Sequence, residues 1–460
     1  MITLDFSKPC HIYFMGIGGI SMSGLAEVLL SKGFQVSGSD SKESPLTLSL
    51  KEKGAQIYIG QKAENITHNI DVVVYTAAIR SDNPEFIAMK NYNLPSLTRA
   101  ELLGQMMKNY ELPIAISGTH GKTTTTSMIS EILMQADLDP TLSIGGMLKS
   151  IGGNIRIGNS EYFVTEACEY TNSFLSFFPK YACILNVEED HLDFFKDLQD
   201  IYHSFHEFAK LLPSDGTLII NGEIEHIEEL TKDLDCLVLT FGKNASSYDY
   251  VPSDITYDSM GNASFTLIKN NIPSENYSLS VPGDHNILNA LAAIAIADIL
   301  GISHEVTQKA LKNFKGTDRR FEYKGTRNGV TIIDDYAHHP SEITATLNAS
   351  VNYPHQKLWC VFQPHTYTRT KAFMKDFAKA LSLADEVILA DIYAAREKDT
   401  LGISSKDLQN EILKLDKKCS YFPSFEEIEN FIINNCSPGD MLITMGAGDV
   451  VNIGESLLKR

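Results

Sequence analysis

Ser117-Gly118-Thr119-His120-Gly121-Lys122-Thr123-Thr124 lies between a short apolar run, Pro113-Ile-Ala-Ile116, and a segment patterned as a helix to about Met134. A glycine-rich turn at a strand-to-helix junction points backbone N–H groups and the positive end of the helix toward one spot, which suits phosphate oxygens. In such a loop the lysine reaches the β- and γ-phosphates and the next hydroxyl ligates Mg2+. Gly118, Thr119, His120, Gly121, Lys122, Thr123 and Thr124 are therefore read as an ATP site, with Lys122 stabilising transferred charge and Thr123 on the metal. The strict spacing asks for glycine at 116, where the chain has Ile116. An ordinary turn is the bland alternative, and it leaves the register of strand, glycines and helix unexplained.

Outward from this loop the chain alternates strand-like and helical patterns. Before it come His11-Ile-Tyr-Phe-Met15, a helical stretch from Ile20 to Leu30, Phe34-Gln-Val-Ser37, Gln56-Ile-Tyr-Ile59 and Asp71-Val-Val-Val-Tyr75. After it come Tyr162 to Thr165, Ala182 to Leu185, Leu218 to Ile220 and Leu237 to Leu239. This rhythm predicts βαβ units on parallel sheets. From Tyr248 to Val281 short strands alternate with turn residues such as Gly261-Asn262 and Asn270-Asn271, which predicts appended antiparallel hairpins. Two helices, about Asn286 to Leu300 and Ser303 to Asn313, lead to the loop Lys315 to Arg320; strands near Val330, Lys357, Glu386 and Met441 follow. The expected fold is α/β with three successive, mainly parallel domains: Rossmann-like over 1–110, phosphate-loop ATPase-like with hairpins over 111–316, and Rossmann-like over 317–460.

Composition bounds the function. With 43% hydrophobic and 21% charged residues over 460 positions, disorder is excluded as the main state. Lys and Arg number 39 against 58 Asp and Glu, a formal charge of −19, which argues against sequence-independent nucleic-acid binding. The apolar run Ala290 to Ala297 ends at Asp298, far short of the roughly 18 to 20 residues of a membrane span. The N-terminus Met1-Ile-Thr-Leu-Asp-Phe6 has no basic segment followed by an apolar one, so a cytoplasmic location is expected. Seven cysteines without a C-x-x-C pair are read as reduced thiols, neither a disulfide framework nor a zinc site. An oligomer is compatible with all of this.

Other clusters carry chemistry. Gly16-Ile17-Gly18-Gly19-Ile20-Ser21 follows the first strand and Asp40 closes the second, a dinucleotide-fold fingerprint with Ser21 where a third glycine is expected. Three readings stand: NAD, another nucleotide diphosphate, or close helix packing. Glu166-Ala-Cys-Glu169 and Asn186-Val-Glu-Glu-Asp190-His191 end neighbouring strands, where carboxylates and imidazoles can hold Mg2+ beside a phosphate loop. Glu166 and His191 are taken as ligands, and Glu188 and Glu189 as a solvated acidic loop. Asp334-Asp-Tyr-Ala-His338-His339-Pro340 and Gln363-Pro-His365-Thr-Tyr-Thr-Arg369 end two strands of the last region. A single histidine in such a loop is more often structural; two such loops together point to a site.

Together with Pro282-Gly-Asp-His-Asn286 and Arg319-Arg-Phe321, these motifs resemble the Mur ligases, from about residue 11 to 450. The resemblance implies ATP-dependent ligation of L-alanine to the lactyl carboxylate of UDP-N-acetylmuramate through an acyl phosphate, in peptidoglycan synthesis. Gly16, Ile17, Gly18, Gly19, Ile20, Ser21 and Asp40 would then hold the uridine diphosphate rather than NAD. ATP would meet Lys122, with His285, Asn286 and Asn289 near adenine or ribose and Arg320 reaching the phosphates. Thr123, Glu166 and His191 would surround Mg2+, and His338 and Arg369 would serve the amino acid. Related ligases often read Glu-Ala-Asp-Glu-Ser where this chain has Cys168 and Tyr170, so neither is given a metal role. Rival readings are a muropeptide-recycling ligase, a folylpolyglutamate synthase-like ligase, a nicotinamide-dependent dehydrogenase and a nucleotide-binding regulator without turnover.

Overall fold

The computed structural model describes residues 3–76, 78–243, 247–395 and 397–460. Met1 and Ile2 of the N-terminal reading lie outside these. The first sheet has the order β3-β2-β1-β4-β5, with β1 His11–Met15, β2 Gln35–Asp40, β3 Gln56–Ile59, β4 Val72–Tyr75 and β5 Ser96–Thr98, all parallel. β1 is buried along its whole length, as expected of an apolar strand covered on both faces. Its neighbours leave in opposite directions, so the loop Gly16–Gly19 and the helix Ile20–Ser31 open at the crevice where the strand order reverses.

The second sheet is larger. Its strands are β6 Leu112–Ser117, β7 Thr141–Leu148, β8 Gly153–Arg156, β9 Tyr162–Glu166, β10 Tyr181–Ile184, β11 Thr217–Asn221, β12 Leu237–Phe241, β13 Tyr250–Tyr257, β14 Asn262–Lys269 and β15 Ile272–Pro282, in the order β15-β14-β13-β12-β11-β10-β6-β9-β7-β8. β6 pairs in parallel with β9 and β10, which brings Glu166 and the chain after Ile184 beside the phosphate loop. The hairpin strands do not form a separate layer: β13 pairs in parallel with β12 and continues the sheet. Asn270 and Asn271 turn β14 into β15 with φ of 50° and 63°, left-handed conformations that asparagine tolerates better than most residues.

The third sheet has the order β16-β17-β21-β18-β19-β20, from β16 Glu322–Arg327, β17 Val330–Asp335, β18 Leu358–Phe362, β19 Glu386–Leu389, β20 Lys418–Tyr421 and β21 Met441–Met445. Two edge features were not expected from the sequence. β7 and β8 form an antiparallel pair whose pattern is broken by Gly145-Gly146, and β16 is a polar, half-exposed strand antiparallel to β17.

The bodies are joined by different physics. One apolar core runs from the first sheet into the second, including Leu25, Leu103, Met106, Tyr110, Phe163 and Phe174. The rings of Tyr110 and Phe163 lie 4.9 Å apart, and the Tyr110 hydroxyl donates to Thr141 Oγ1 at 3.1 Å. The third sheet keeps its own cores. It meets the second through charged and hydrogen-bonded groups, among them Lys149 Nζ with Glu322 Oε1 at 3.0 Å.

In the apolar joint, the helix Arg99–Met107 approaches so closely that a Cβ on Gly104 would lie 1.9 Å from the Ser176 carbonyl oxygen. Gly104→Ala is therefore expected to destabilise by about 1–3 kcal/mol through overpacking. A thermal melt indistinguishable from that of the parent chain would show that this contact relaxes freely.

Candidate functional site

Gly118 and Gly121 allow the phosphate loop to lie where it does. Their φ values are 141° and 82°; a Cβ would meet Leu185 Cβ at 2.9 Å at the first, and Asn289 Oδ1 at 2.7 Å at the second. Asn186, at the end of the neighbouring strand segment, latches the turn: its carbonyl accepts the Thr119 N–H at 3.1 Å and its side-chain oxygen accepts the His120 N–H at 2.7 Å. The helix Lys122–Gln135 then begins, and the first N–H groups of a helix have no acceptor within it. Lys122, Thr123 and Thr124 carry these first groups, and Thr124 borders the cavity beside the loop.

Charge is concentrated beside these amides. Lys122 Nζ donates to Glu169 Oε2 at 2.9 Å and folds back onto the carbonyls of Gly118 and Thr119. Burial pulls its pKa down, but the Glu169 carboxylate outweighs this and holds the ammonium above its ordinary range. Thr123 Oγ1 donates to Glu166 Oε2 at 3.1 Å, and the Gly145 N–H donates to Glu166 Oε1. Burial raises the Glu166 pKa. His191 Nε2 lies 3.8 Å from Glu169 Oε1, and its ring stacks on Tyr170 at 4.4 Å. Burial lowers its pKa, which favours the neutral imidazole with a free lone pair.

The expected metal set thus divides into Thr123 with Glu166, and His191 with Glu169. Glu169, which the sequence reading left without a role, joins the halves: its Oε1 is buried without a hydrogen-bond partner. A hydroxyl, carboxylates and a neutral imidazole are donors that a hard divalent cation such as Mg2+ accepts, and the buried, unpaired Glu169 Oε1 is the group such a cation would relieve. The Glu-x-x-Glu spacing at the end of β9 was the available signal.

A cavity of about 300 Å3 opens beside the loop, lined by His120, Gly121, Thr124, His285, Asn286, Asn289, Arg320 and Glu342 among others. Asn289 donates to Asn286 Oδ1 at 3.0 Å and accepts from Thr125 Oγ1 at 3.2 Å, while Asn286 donates to the Pro282 carbonyl at 2.7 Å. Both amides therefore brace the cavity wall. Arg320 enters from the third body, 3.8 Å from Glu342 Oε1 and over the Tyr336 ring at 5.3 Å.

The acidic and histidine loops meet across the junction. Glu188, expected in a solvated loop, instead accepts from Ser341 Oγ and lies 3.4 Å from His120 Nε2. Burial opposes its charge, but His120 outweighs it and holds the carboxyl at about 2. The chain crossing that brings β10 beside β17's loop was invisible in the sequence. Glu189 is exposed, and only its backbone is engaged, accepting from His339 Nε2 at 3.1 Å. His338 Nδ1 lies 3.0 Å from the Tyr336 carbonyl oxygen, with Glu342 Oε2 at 3.3 Å, and burial lowers its pKa to about 4. Arg369 donates through Nε and Nη2 to Asp190 Oδ1, at 3.1 and 2.9 Å. Its guanidinium, expected to anchor an amino acid, is thus held by the second body. With His191 and His365 it lines a cavity of about 570 Å3.

The N-terminal glycine loop is largely self-satisfied. The N–H groups of Gly16 and Ile17 donate to the Ser39 carbonyl, that of Gly19 to Gly16, and that of Gly18 to Asp40 Oδ2 at 2.9 Å. Asp40 therefore fastens the loop. Ile20 and Ser21 begin the helix, and Ser21 Oγ accepts from Arg99 Nη1 at 3.3 Å.

Three family descriptions match the chain: the Mur ligase family catalytic domain over residues 11–111, the Mur ligase middle domain over 116–297 and the Mur ligase glutamate ligase domain over 319–448. A UDP-N-acetylmuramate–L-alanine ligase of Agathobacter rectalis is 60% identical over 460 residues, covering 100% of both chains. Among solved structures, the UDP-N-acetylmuramate-alanine ligase of Thermotoga maritima superposes with a TM-score of 0.81 at 30% identity, covering 98% of each chain. A murein peptide ligase of Psychrobacter arcticus gives 0.72 at 27% identity over 98% of each.

The junction has a pH signature. Burial disfavours the His120 imidazolium, but Glu342 at 3.2 Å and Glu188 reverse this and lift its pKa from 6.5 to about 9. A pKa raised on folding contributes stability that is full below the unfolded value and is lost as pH rises through the folded one. His120→Gln is expected to melt earlier than the parent chain at pH 7, by about 1–3 kcal/mol, with the gap closing toward pH 10. A gap independent of pH would assign the effect to packing.

Proposed function

The chain belongs to the Mur ligase family, and we propose that it joins L-alanine to UDP-N-acetylmuramate at the cost of ATP, in peptidoglycan synthesis. The observation that carries this reading is that Arg320 of the third body lines one cavity with Gly121 and Thr124 of the phosphate loop, and that its charge and that of Lys122 both act on Glu166. That arrangement gathers cations and N–H donors from two bodies around a polyphosphate. Residues 1–110 would hold the sugar nucleotide, 111–316 ATP, and 317–460 the amino acid.

The uridine diphosphate would lie at the start of the helix Ile20–Ser31, whose Ile20 and Ser21 amides lie outside the bonds that close the glycine loop. The β- and γ-phosphates of ATP would displace Lys122 from the loop carbonyls while Glu169 keeps the ammonium charged. The lactyl carboxylate attacks the γ-phosphorus, giving an acyl phosphate and ADP. The amine of L-alanine then attacks that carbonyl and inorganic phosphate leaves. No protein nucleophile is required. Mg2+, held by Thr123, Glu166, Glu169 and His191, would neutralise phosphate charge when bound. Lys122 and Arg320 stabilise the equatorial oxygens by position. His338 would face the amino group of the amino acid with a neutral imidazole, and Arg369 would exchange Asp190 for its carboxylate.

Among the described residues no helix is long and apolar enough to cross a membrane. On this reading the enzyme would work in the cytoplasm, where ATP is held.

Phosphate release from ATP is expected only when UDP-N-acetylmuramate and L-alanine are both supplied. Release with one of them, or a higher kcat/KM with a tripeptide in place of L-alanine, would refute the assignment. Lys122→Ala should lower kcat by about 100- to 1,000-fold or more, and because it leaves Glu169 buried without its cation it should lower the melting temperature while the transition stays cooperative. His191→Ala should shift the Mg2+ titration of activity to higher concentration; an unchanged titration would remove His191 from the ligand set.

A further inference from the structure

A second cluster of ligating groups lies apart from the Thr123, Glu166, Glu169 and His191 set. One ligand atom each of His120, Glu188 and His339 falls within 4.8 Å of the others. The His120 and His339 ring centroids are 4.8 Å apart. His120 belongs to the phosphate loop, Glu188 to the segment after β10, and His339 to the turn after β17. The cluster therefore spans the polar junction between the second and third bodies.

Three features favour an ion over mere proximity. His120 Nε2 faces Glu188 Oε2 at 3.4 Å, an ion pair whose proton a cation would replace. The other nitrogen of His120 is paired with Glu342 Oε1 at 3.2 Å, a carboxylate–imidazole contact of the kind that orients metal-bound histidines. His339 Nε2 lies 3.1 Å from the Glu189 carbonyl, which suits Nε2–H as donor; the Nδ1 lone pair accepts the Ser341 N–H only at 3.4 Å, a long contact that a cation would replace. Entry is open as well: Glu188 and His339 line a groove of about 1020 Å3 that shares Asn186, Glu188 and Ser341 with the cavity beside the phosphate loop.

We propose that His120, Glu188 and His339 form a site for a borderline divalent cation, of the Zn2+ or Co2+ class, bridging the second and third bodies. Two imidazoles and one carboxylate leave a fourth position for water and match the donors such ions prefer over Mg2+. Closing ligand atoms from 4.8 Å to the separation of a tetrahedral site draws the bodies together. Such an ion would therefore fasten the junction without entering the reaction, and it is independent of the ligase reading above.

The test is Zn2+ binding to the full chain by calorimetry, in excess Mg2+ so that oxygen-only positions are filled. One equivalent with a micromolar Kd is expected. His339→Gln and Glu188→Gln should each weaken it at least about tenfold, whereas His226→Gln, at an exposed histidine, should leave it unchanged. Zn2+ should also raise the melting temperature of the parent chain and not that of the two variants. Co2+ in the unmodified chain should give an intense visible d–d band without a thiolate charge-transfer band, a reading that does not rely on any variant folding. Unchanged affinity in both variants, no uptake in excess Mg2+, or a thiolate band that places the ion on cysteine would overturn the proposal.

Discussion

The site depends on the Lys122–Glu169 pair. Lys122 is set into a crevice that excludes most water, with its ammonium 2.9 Å from Glu169 Oε2. Removing two such charges from water costs several kcal/mol per ion, and only close geometry offsets this. Without Glu169 the lysine would be a buried unpaired cation and would lose its proton or leave the crevice. With Glu169 it stays charged, and a polyphosphate can enter by taking over the Gly118 and Thr119 carbonyl contacts. The second oxygen of Glu169 faces His191 at 3.8 Å, so one carboxylate links the phosphate loop to the loop after β10.

The two joints of the molecule differ in what they allow. The first body shares a continuous apolar core with the second, and parting them would expose large side chains such as Phe163 and Phe174. The third is held through His120–Glu342, Ser341–Glu188, Arg369–Asp190 and Lys149–Glu322, contacts that water can replace at small net cost. Motion during turnover therefore belongs to the third body. Phe314 belongs to the core of the second body, whereas Arg319 is bound to Asp334 and to the carbonyls of Gly446 and Gly448. The four residues between them, with Gly316 at a φ of 89°, form the connection that has to bend.

Local pattern carried much of the fold. β1 and β21 were legible as apolar runs, and the Asn270-Asn271 turn as a hairpin signal, because burial on both faces and left-handed φ leave marks in a few consecutive residues. β16 was not, since Glu322-Tyr-Lys-Gly-Thr-Arg327 is half-exposed and polar and owes its strand conformation to β17. In the site, Thr123 and Glu166 were readable because each closes a strand or opens a helix at the phosphate loop. The roles of Glu188 and Asp190 were not, since their partners Ser341 and Arg369 lie 153 and 179 residues away. Glu188 looks like a solvated acid until the third body is placed over it.

That placement also reconciles a chain of charge −19 with anionic substrates. Each cation in the crevice is paired with a carboxylate: Lys122 with Glu169, Arg320 with Glu342, Arg369 with Asp190, and His120 with Glu188 and Glu342. The field seen from beyond a Debye length is therefore that of an acidic surface, and it does not draw ATP in. Recognition has to come from exchange at short range, where a phosphate or carboxylate replaces a protein acid on a cation already stripped of water. An acid released in this way must find a new partner, and on the proposed reading Glu169 would take Mg2+ and Asp190 the substrate ammonium. The acidic residues are thus part of the binding mechanism: they keep the cations charged before substrate arrives and take up the positive groups that come with it.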